Sequence, residues 1–148
     1  MAIAVGSVAP PVAGVAADGS RALVFYKVSC PTCQMAAPMM DRFDRAYPGR
    51  IAGVGQDPPE ALAAYATTYG QTFPSVSDLP PYDASNAYGI ENVPTLFVIG
   101  DNGRVADVVE SWDRDGVNRA SATLATLLGV DPATISEPGD GLPPFRPG

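Results

Sequence analysis

The sequence contains no histidine, and only two cysteines and one tryptophan occur among its 148 residues. A structural zinc site takes four cysteine or histidine ligands, so this chain cannot complete such a site by itself. Only a site shared between two copies of the chain would supply enough ligands. We therefore expect neither a bound metal nor a cofactor.

Positive charge is also scarce. Nine lysines and arginines stand against sixteen aspartates and glutamates, which gives a formal net charge of -7. Binding to a phosphate backbone or to anionic lipid requires clustered Lys and Arg side chains. We therefore expect no nucleic-acid partner.

Long hydrophobic runs are missing as well. The opening residues 1–7 lack the basic region and the sustained apolar run of a secretory signal. No later stretch is apolar enough to span a bilayer, so no membrane span is expected. We expect a monomer that is cytoplasmic as given, or periplasmic or extracytoplasmic if an export signal was removed. In a reducing cytoplasm, closely spaced cysteines are more often catalytic or metal-binding than a static disulfide.

The chain is long enough, and with 46% hydrophobic residues apolar enough, to form one domain with its own core. Residue periodicity predicts four main strands, three main helices and some shorter pieces. The strands are expected at 21–28, 51–54, 93–99 and 104–109, and the helices at 31–47, 57–70 and 113–128. The shorter pieces are an edge strand before residue 20, an extended piece at 73–76 and a helical turn at 84–88.

This order of elements predicts an α/β fold with a mixed sheet and helices on both faces. The segment Asp101-Asn102-Gly103 predicts a hairpin that makes its two flanking strands antiparallel neighbours. Residues 1–130 form the predicted domain. The proline- and glycine-rich residues 131–148 form a predicted tail that is extended or disordered.

Both cysteines lie in the stretch FYKVSCPTCQ, as Cys30 and Cys33. Cys30 is expected between a buried strand and the first turn of a helix, where free backbone N–H groups stabilise an anion. Helix N-termini and Cys-X-X-Cys motifs lower the pKa of thiols, so Cys30 is the expected nucleophile. Cys33 follows one turn later on the same face and can resolve a mixed disulfide. A purely structural disulfide would close too short a loop to stabilise the fold much.

Three motifs resemble the thioredoxin superfamily, in its TlpA-like and AhpC/TSA-like branch, over residues 22–129. They are the Cys30-Pro31-Thr32-Cys33 turn after a hydrophobic strand, the Val93-Pro94-Thr95 loop and the Asp101-Asn102-Gly103 hairpin. An aspartate after the second strand and a Tyr-Gly pair before the proline loop, Asp57 and Tyr88-Gly89, favour this branch. The resemblance implies a thioredoxin-like fold, with a central mixed sheet flanked by helices on both faces.

The resemblance also implies a thiol-disulfide oxidoreductase. Its Cys30–Cys33 pair would cycle between dithiol and disulfide on protein or small thiol substrates, with a redox partner that the sequence does not identify. Thioredoxin keeps a buried acid that helps to deprotonate the second cysteine, and here Val24 stands in its place. That proton route is therefore missing or replaced.

Further site residues are implied by the same resemblance. In this superfamily the proline that opens the third core strand is cis and packs against the active-site disulfide, which marks Pro94. The residue before it, Val93, would offer backbone groups to an incoming peptide. The alternative is that Pro94 merely begins an edge strand. Lys27 could stabilise a thiolate through its ammonium charge, or it could extend into solvent.

Two other functions are open at this point. The first is a peroxiredoxin-like thiol peroxidase, in which Cys33 resolves a sulfenic acid formed at Cys30. Against it, Lys27 replaces the Thr or Ser of the peroxiredoxin motif, and Leu23 replaces its earlier proline. The second is a redox-inert thioredoxin-like module that binds an extended peptide in the groove beside Pro94.

Overall fold

A computed structural model describes residues 1–148. In chain order its elements are β1 (Arg21–Tyr26), α1 (Pro31–Ala46), β2 (Ile51–Gly55), α2 (Pro59–Tyr69), β3 (Ser75–Ser77), α3 (Asp83–Ala87), β4 (Thr95–Ile99), β5 (Val105–Glu110), β6 (Trp112–Asp113), α4 (Arg114–Leu128) and β7 (Phe145–Arg146). The predicted main strands and helices are confirmed within a few residues. No helix is both long and apolar enough to cross a bilayer.

The prediction of an edge strand before residue 20 is wrong. The segment touches the sheet only through an isolated antiparallel bridge between Val8 and Arg104. Pro10 and Pro11 follow this bridge, and their missing N–H groups prevent the ladder from continuing. The short strands β6 and β7 had no sequence signal.

The main sheet has five strands in the order β3-β2-β1-β4-β5. β1 lies at its centre, parallel to β2 and antiparallel to β4. β4 and β5 form the predicted hairpin, in which Gly103 has a positive φ of 75°. The sheet is therefore mixed, as predicted, and the chain leaves the end of its central strand for α1.

Alternate residues of β1 face two hydrophobic layers. Ala22 and Val24 pack in the larger layer with residues of α1 and α4, including Phe43 and Leu124. Tyr26 continues this side of β1 and packs with Leu62 of α2. Because the strand is buried on both faces, it gives a rigid base to the loop that carries Cys30.

The opposite face of the sheet is covered by α3 and by the N-terminal segment. Leu23 and Phe25 of β1 lie in this second layer, where Ile3 and Val12 pack from the N-terminal segment and Ala84 from α3. The phenol of Tyr88 is buried in the same layer, and burial raises its pKa to about 12. Helices therefore lie on both faces, which confirms the predicted thioredoxin-like α/β architecture.

Residues 131–148 return along the domain. Ile135 is 1% exposed and belongs to the larger hydrophobic layer. β7 pairs with β6 in a separate antiparallel ladder, with Phe145 opposite Asp113 and Arg146 opposite Trp112. The division into a domain and a tail at residue 130 stays a prediction, whereas the packing of the tail is a feature of the structure.

Candidate active site

The Cys30 thiol lies at the N-terminus of α1. Cys30 is the N-cap residue of this helix, with extended backbone angles, and Pro31 occupies the first helical position. The Cys30 Sγ accepts a hydrogen bond from the backbone N–H of Cys33 at 3.2 Å. A thiolate at this position gains from that donor and from the helix dipole.

The loop before β4 lies across the Cys30 thiol. The Val93–Pro94 peptide bond is cis, as the resemblance implies. The Cys30 thiol donates a weak hydrogen bond to the Val93 carbonyl oxygen, with 3.4 Å between Sγ and O. β4 pairs with strands on both sides, so Pro94 does not open an edge strand. The structure thus brings the Val93–Pro94 loop, which the resemblance marks, beside Cys30.

The two thiols have different environments. Cys30 is half-buried, whereas Cys33 is only 2% exposed. Cys33 packs against Tyr26, Leu62 and Tyr65. Burial raises the pKa of the Cys33 thiol, and its hydrogen bond with Cys30 raises that pKa further. Cys33 is therefore held as a neutral thiol behind the more accessible Cys30.

A polar network lies behind Cys33. The Tyr26 hydroxyl donates to Ser75 Oγ at 2.9 Å, and the Gln71 amide donates to the same Oγ at 2.8 Å. A small cavity has Val24, Tyr26, Cys33 and Gln71 among its lining residues. Neutral polar groups thus approach Cys33 on the side where thioredoxin has its acid. Neither Gln71 nor Ser75 has a sequence signal, because Gln71 reaches this place from the end of α2 and Ser75 through the pairing of β3 with β2.

The loop between β1 and α1 is fixed from two sides. The Asp57 carboxylate accepts the backbone N–H of Val28 at 2.9 Å. The Gln34 side chain donates to the Val28 carbonyl oxygen at 2.8 Å. The resemblance marks Asp57 only as a feature of the branch, and the structure shows that it holds the loop that carries Cys30.

Lys27 contacts Cys30 through its backbone only. Its carbonyl oxygen accepts the Cys30 N–H at 3.1 Å. Its side chain is exposed, and the ammonium makes no hydrogen bond or ion pair within the chain. The Lys27 backbone is therefore part of the site, whereas the Lys27 ammonium does not contact the Cys30 thiol.

The matches to known proteins agree with this arrangement. The AhpC/TSA family model matches residues 16–108, which is more than half of the chain. The thiol-disulfide oxidoreductase ResA of Halalkalibacterium halodurans is 30% identical over 90 residues, covering 58% of this chain and 51% of that protein. The chain spans about half the length of the curated relatives it matches.

Solved structures show the same fold. The thioredoxin domain of a Bacteroides vulgatus thiol-disulfide oxidoreductase has a TM-score of 0.65 at 19% identity, covering 78% of this chain and 93% of that domain. A secreted Mycobacterium tuberculosis disulfide oxidoreductase homologous to Escherichia coli DsbE has a TM-score of 0.60 at 18% identity, covering 74% and 82%. With these matches, the chain belongs to the AhpC/TSA family, as a TlpA-like member of the thioredoxin superfamily.

Proposed function

We propose that this protein is a thiol-disulfide oxidoreductase that uses Cys30 as nucleophile and Cys33 as resolving thiol. The observation that carries the proposal is the unequal placement of the two sulfurs. Cys30 is half-buried at a helix N-terminus, and Cys33 is buried one turn behind it. Attack on a substrate and release of that substrate are different tasks, and the unequal placement supports giving attack to Cys30 and release to Cys33.

The first step is attack by the Cys30 thiolate on a substrate disulfide. A bond forms between Cys30 Sγ and one substrate sulfur, and the substrate S–S bond breaks. The other substrate sulfur leaves as a thiolate, which takes up a proton from solvent. The Cys33 N–H lies 3.2 Å from Cys30 Sγ and stabilises the attacking anion.

The second step is resolution by Cys33. Its thiol loses a proton and attacks Cys30 Sγ, which forms the Cys30–Cys33 disulfide and releases the second substrate sulfur as a thiolate. Two electrons have then passed from the protein to the substrate. Because burial raises the pKa of the Cys33 thiol, its deprotonation is the demanding part of this step. Tyr26 and Gln71, which approach the cavity behind Cys33, are the polar groups best placed to order a water for that proton.

Protein disulfides or thiols are the proposed substrates. The Val93 backbone lies beside Cys30 and offers hydrogen-bonding groups to an extended peptide, next to Pro94. A second redox protein restores the starting state of the cysteine pair. We propose that it acts as a monomer. The secreted neighbour supports an extracytoplasmic setting, the second of the two expected from the sequence.

The direction of electron flow depends on the reduction potential of the cysteine pair. Known Cys-X-X-Cys proteins range from roughly -270 to -120 mV, a span that includes both reductants and oxidants. Equilibration of the purified protein with glutathione buffers, with the free thiols counted at each ratio, measures this potential. A value near the lower end assigns a reductant, and a value near the upper end an oxidant.

Trapping variants test the assignment of the two thiols. Cys33→Ser is expected to accumulate a mixed disulfide between Cys30 and a protein substrate, because no resolving thiol remains. The matched variant Cys30→Ser is expected to capture almost none. In the reduced wild-type protein, limiting iodoacetamide should alkylate Cys30 before Cys33, as peptide mass spectrometry would show. Equal labelling, or equal capture by both variants, contradicts the assignment.

A redox-inert peptide-binding module predicts a different result. Such a protein would neither reduce insulin nor cycle with dithiothreitol, although it would still bind extended peptides. The proposed oxidoreductase should do both, and Cys30→Ser should abolish the reduction of insulin. Wild-type protein that is fully reduced and folded yet inactive in both assays would favour the binding module.

A further inference from the structure

The C-terminal residues Pro143–Gly148, here called the strap, run over the candidate active site. Two hydrogen bonds from the domain hold the start of the strap. The Trp112 indole N–H donates a hydrogen bond to the Pro143 carbonyl oxygen at 2.7 Å. The Arg114 backbone N–H donates a hydrogen bond to the Pro144 carbonyl oxygen at 3.0 Å. The antiparallel pairing of β7 with β6 continues from this point.

The segment before the strap is anchored more firmly. The Arg114 guanidinium donates to Ser136, Asp140 and the Leu142 carbonyl oxygen, at 3.1, 3.3 and 2.8 Å. Hydrogen bonds from Ser136 and from the Leu142 backbone, together with the Arg114 charge, hold the pKa of Asp140 at about 2. Asp140 is thus ionised at neutral pH and forms an ion pair with the Arg114 guanidinium, which anchors the segment from which the strap starts.

Beyond β7 the strap reaches the two loops that form the site. The Thr32 hydroxyl, between the two cysteines, donates to the Pro147 carbonyl oxygen at 2.8 Å. Thr32 is 3% exposed, although it lies in the first turn of α1. The Gly148 N–H donates to Ser111 Oγ at 3.1 Å. The strap therefore bridges the Cys30–Cys33 turn and the end of β5.

Gly148 lies directly against Val93. A Cβ atom added to Gly148 would collide with the Val93 carbonyl oxygen, and it would also come too close to the Val93 carbonyl carbon. This oxygen is the one that faces the Cys30 thiol. The strap therefore lies on the backbone that the proposed function assigns to an incoming peptide.

We propose that the strap is an intramolecular occupant of the substrate surface, which must leave Val93 and Thr32 before an extended peptide substrate can bind there. This inference rests on the proposed function. The surface accepts an extended segment that pairs with β6, passes Thr32 and presents a residue without a side chain to Val93. A peptide substrate that follows the same path must have glycine at that point or shift the strand away from Val93.

The strap is suited to reversible release. All six of its residues are exposed, and the one hydrogen bond of the Arg146 side chain is a weak one to Met35, with 3.8 Å between Nη1 and Sδ. Beyond β7 only two hydrogen bonds hold the strap, from Thr32 to Pro147 and from Gly148 to Ser111, so its far end can leave while its start stays bound. The firm anchor before it keeps the local concentration of the strap high, so it returns when a substrate leaves. The expected result is weaker apparent binding of peptides, because only the open fraction of the protein binds them.

The test uses the full chain and the variant Gly148→Val, whose side chain cannot fit against Val93. Thr134→Val is the matched control, since it places the same side chain at an exposed position of the tail without any side-chain hydrogen bond in the native protein. Reduced protein is mixed with a disulfide-linked extended peptide, or with hydroxyethyl disulfide, and initial rates are followed over a range of concentrations. Ser111→Ala, which removes the acceptor for Gly148, is the second variant.

Gly148→Val is expected to lower the KM for the peptide about threefold to tenfold, the effect of roughly one lost hydrogen bond, with kcat unchanged. Ser111→Ala should act in the same direction, whereas Thr134→Val should match wild type. The rate with hydroxyethyl disulfide should not change.

Equal peptide KM values in all four proteins overturn the strap proposal and leave the oxidoreductase proposal intact. Equal acceleration with both substrates also overturns it, because the strap would then shield Cys30 from every disulfide. Wild-type protein without exchange activity on either substrate overturns the proposed function instead.

Discussion

The hydroxyl of Tyr65 donates a hydrogen bond to the backbone carbonyl oxygen of Cys33, with 3.0 Å between the two oxygen atoms. Both residues are buried. The bond connects α2 to the first turn of α1, so α2 holds the backbone of the resolving cysteine as well as covering its sulfur. Burial raises the pKa of the Tyr65 hydroxyl, and the nearby Cys33 raises it further, so the hydroxyl remains a donor at neutral pH.

Replacing Tyr65 by Phe should lower the free energy of unfolding by about 1 kcal/mol, the typical net value of one hydrogen bond. Urea titration of the reduced protein measures the change. Tyr69→Phe is the matched control. The Tyr69 ring packs against Tyr65, with 4.9 Å between the ring centroids, but the Tyr69 hydroxyl makes no hydrogen bond within the chain. Equal stability of the two variants would show that the Tyr65 bond does not contribute.

Stability of the reduced protein should fall at alkaline pH because of Cys33. Its pKa is raised in the folded state, so the native protein keeps this proton while an unfolded thiol loses it above about pH 8.5. The contribution is complete below pH 8 and declines as pH rises. Urea titrations from pH 7 to 10 should show the decline in wild type and a smaller one in Cys33→Ser. Tyr26, Tyr65 and Tyr88 also have raised pKa values, but they are present in both proteins. Parallel curves for the two proteins would contradict this assignment.

Hydrogen peroxide should oxidise Cys30 only slowly. The Cys30 Sγ receives one backbone donor from Cys33, and no charged side chain contacts it. A peroxidase site would need further donors to stabilise the departing oxygen. Stopped-flow oxidation of the Cys33→Ser variant isolates this step. A rate many orders of magnitude above that of a free thiol would establish the peroxiredoxin-like function.

Lys27 should affect Cys30 only through a screened charge. We expect Lys27→Gln to slow the alkylation of Cys30 by about twofold at low salt, which is typical of an exposed charge pair. Lys27→Arg keeps the charge and should match wild type. The difference should disappear in high salt, where the Debye length is short. A larger effect that resists salt would indicate direct contact between the ammonium and the thiolate.

The sequence predicted those parts of the site that depend on local structure. Cys30 and Cys33 lie one turn apart at a helix N-terminus because the strand, the proline and the helical period all indicate that arrangement. The position of Val93 beside Cys30 came from the family resemblance alone. No local signal could place it, because the contact joins loops that are 63 residues apart.

The strap was missed because its composition indicates irregular structure, and composition does not show where an irregular segment binds. Pro132, Pro143 and Pro144 exclude long regular elements, and this part of the prediction agrees with the structure. The contacts that hold the tail come instead from Arg114 and Trp112, which a sequence pattern assigns only to the start of a helix. The periodicity of apolar residues along the sequence does not predict tertiary hydrogen bonds of this kind.

The single tryptophan of the chain is an intrinsic fluorescence probe of the strap. Trp112 is fully buried in the larger hydrophobic layer, and its indole N–H is bound to the first residue of the strap. Its position opposite Arg146 in the short ladder places the same ring beneath the moving segment. Indole emission shifts to longer wavelength when the ring or its N–H is exposed to water. The wavelength of maximum emission would therefore report detachment of the segment around Pro143 in the unmodified protein, without an added dye.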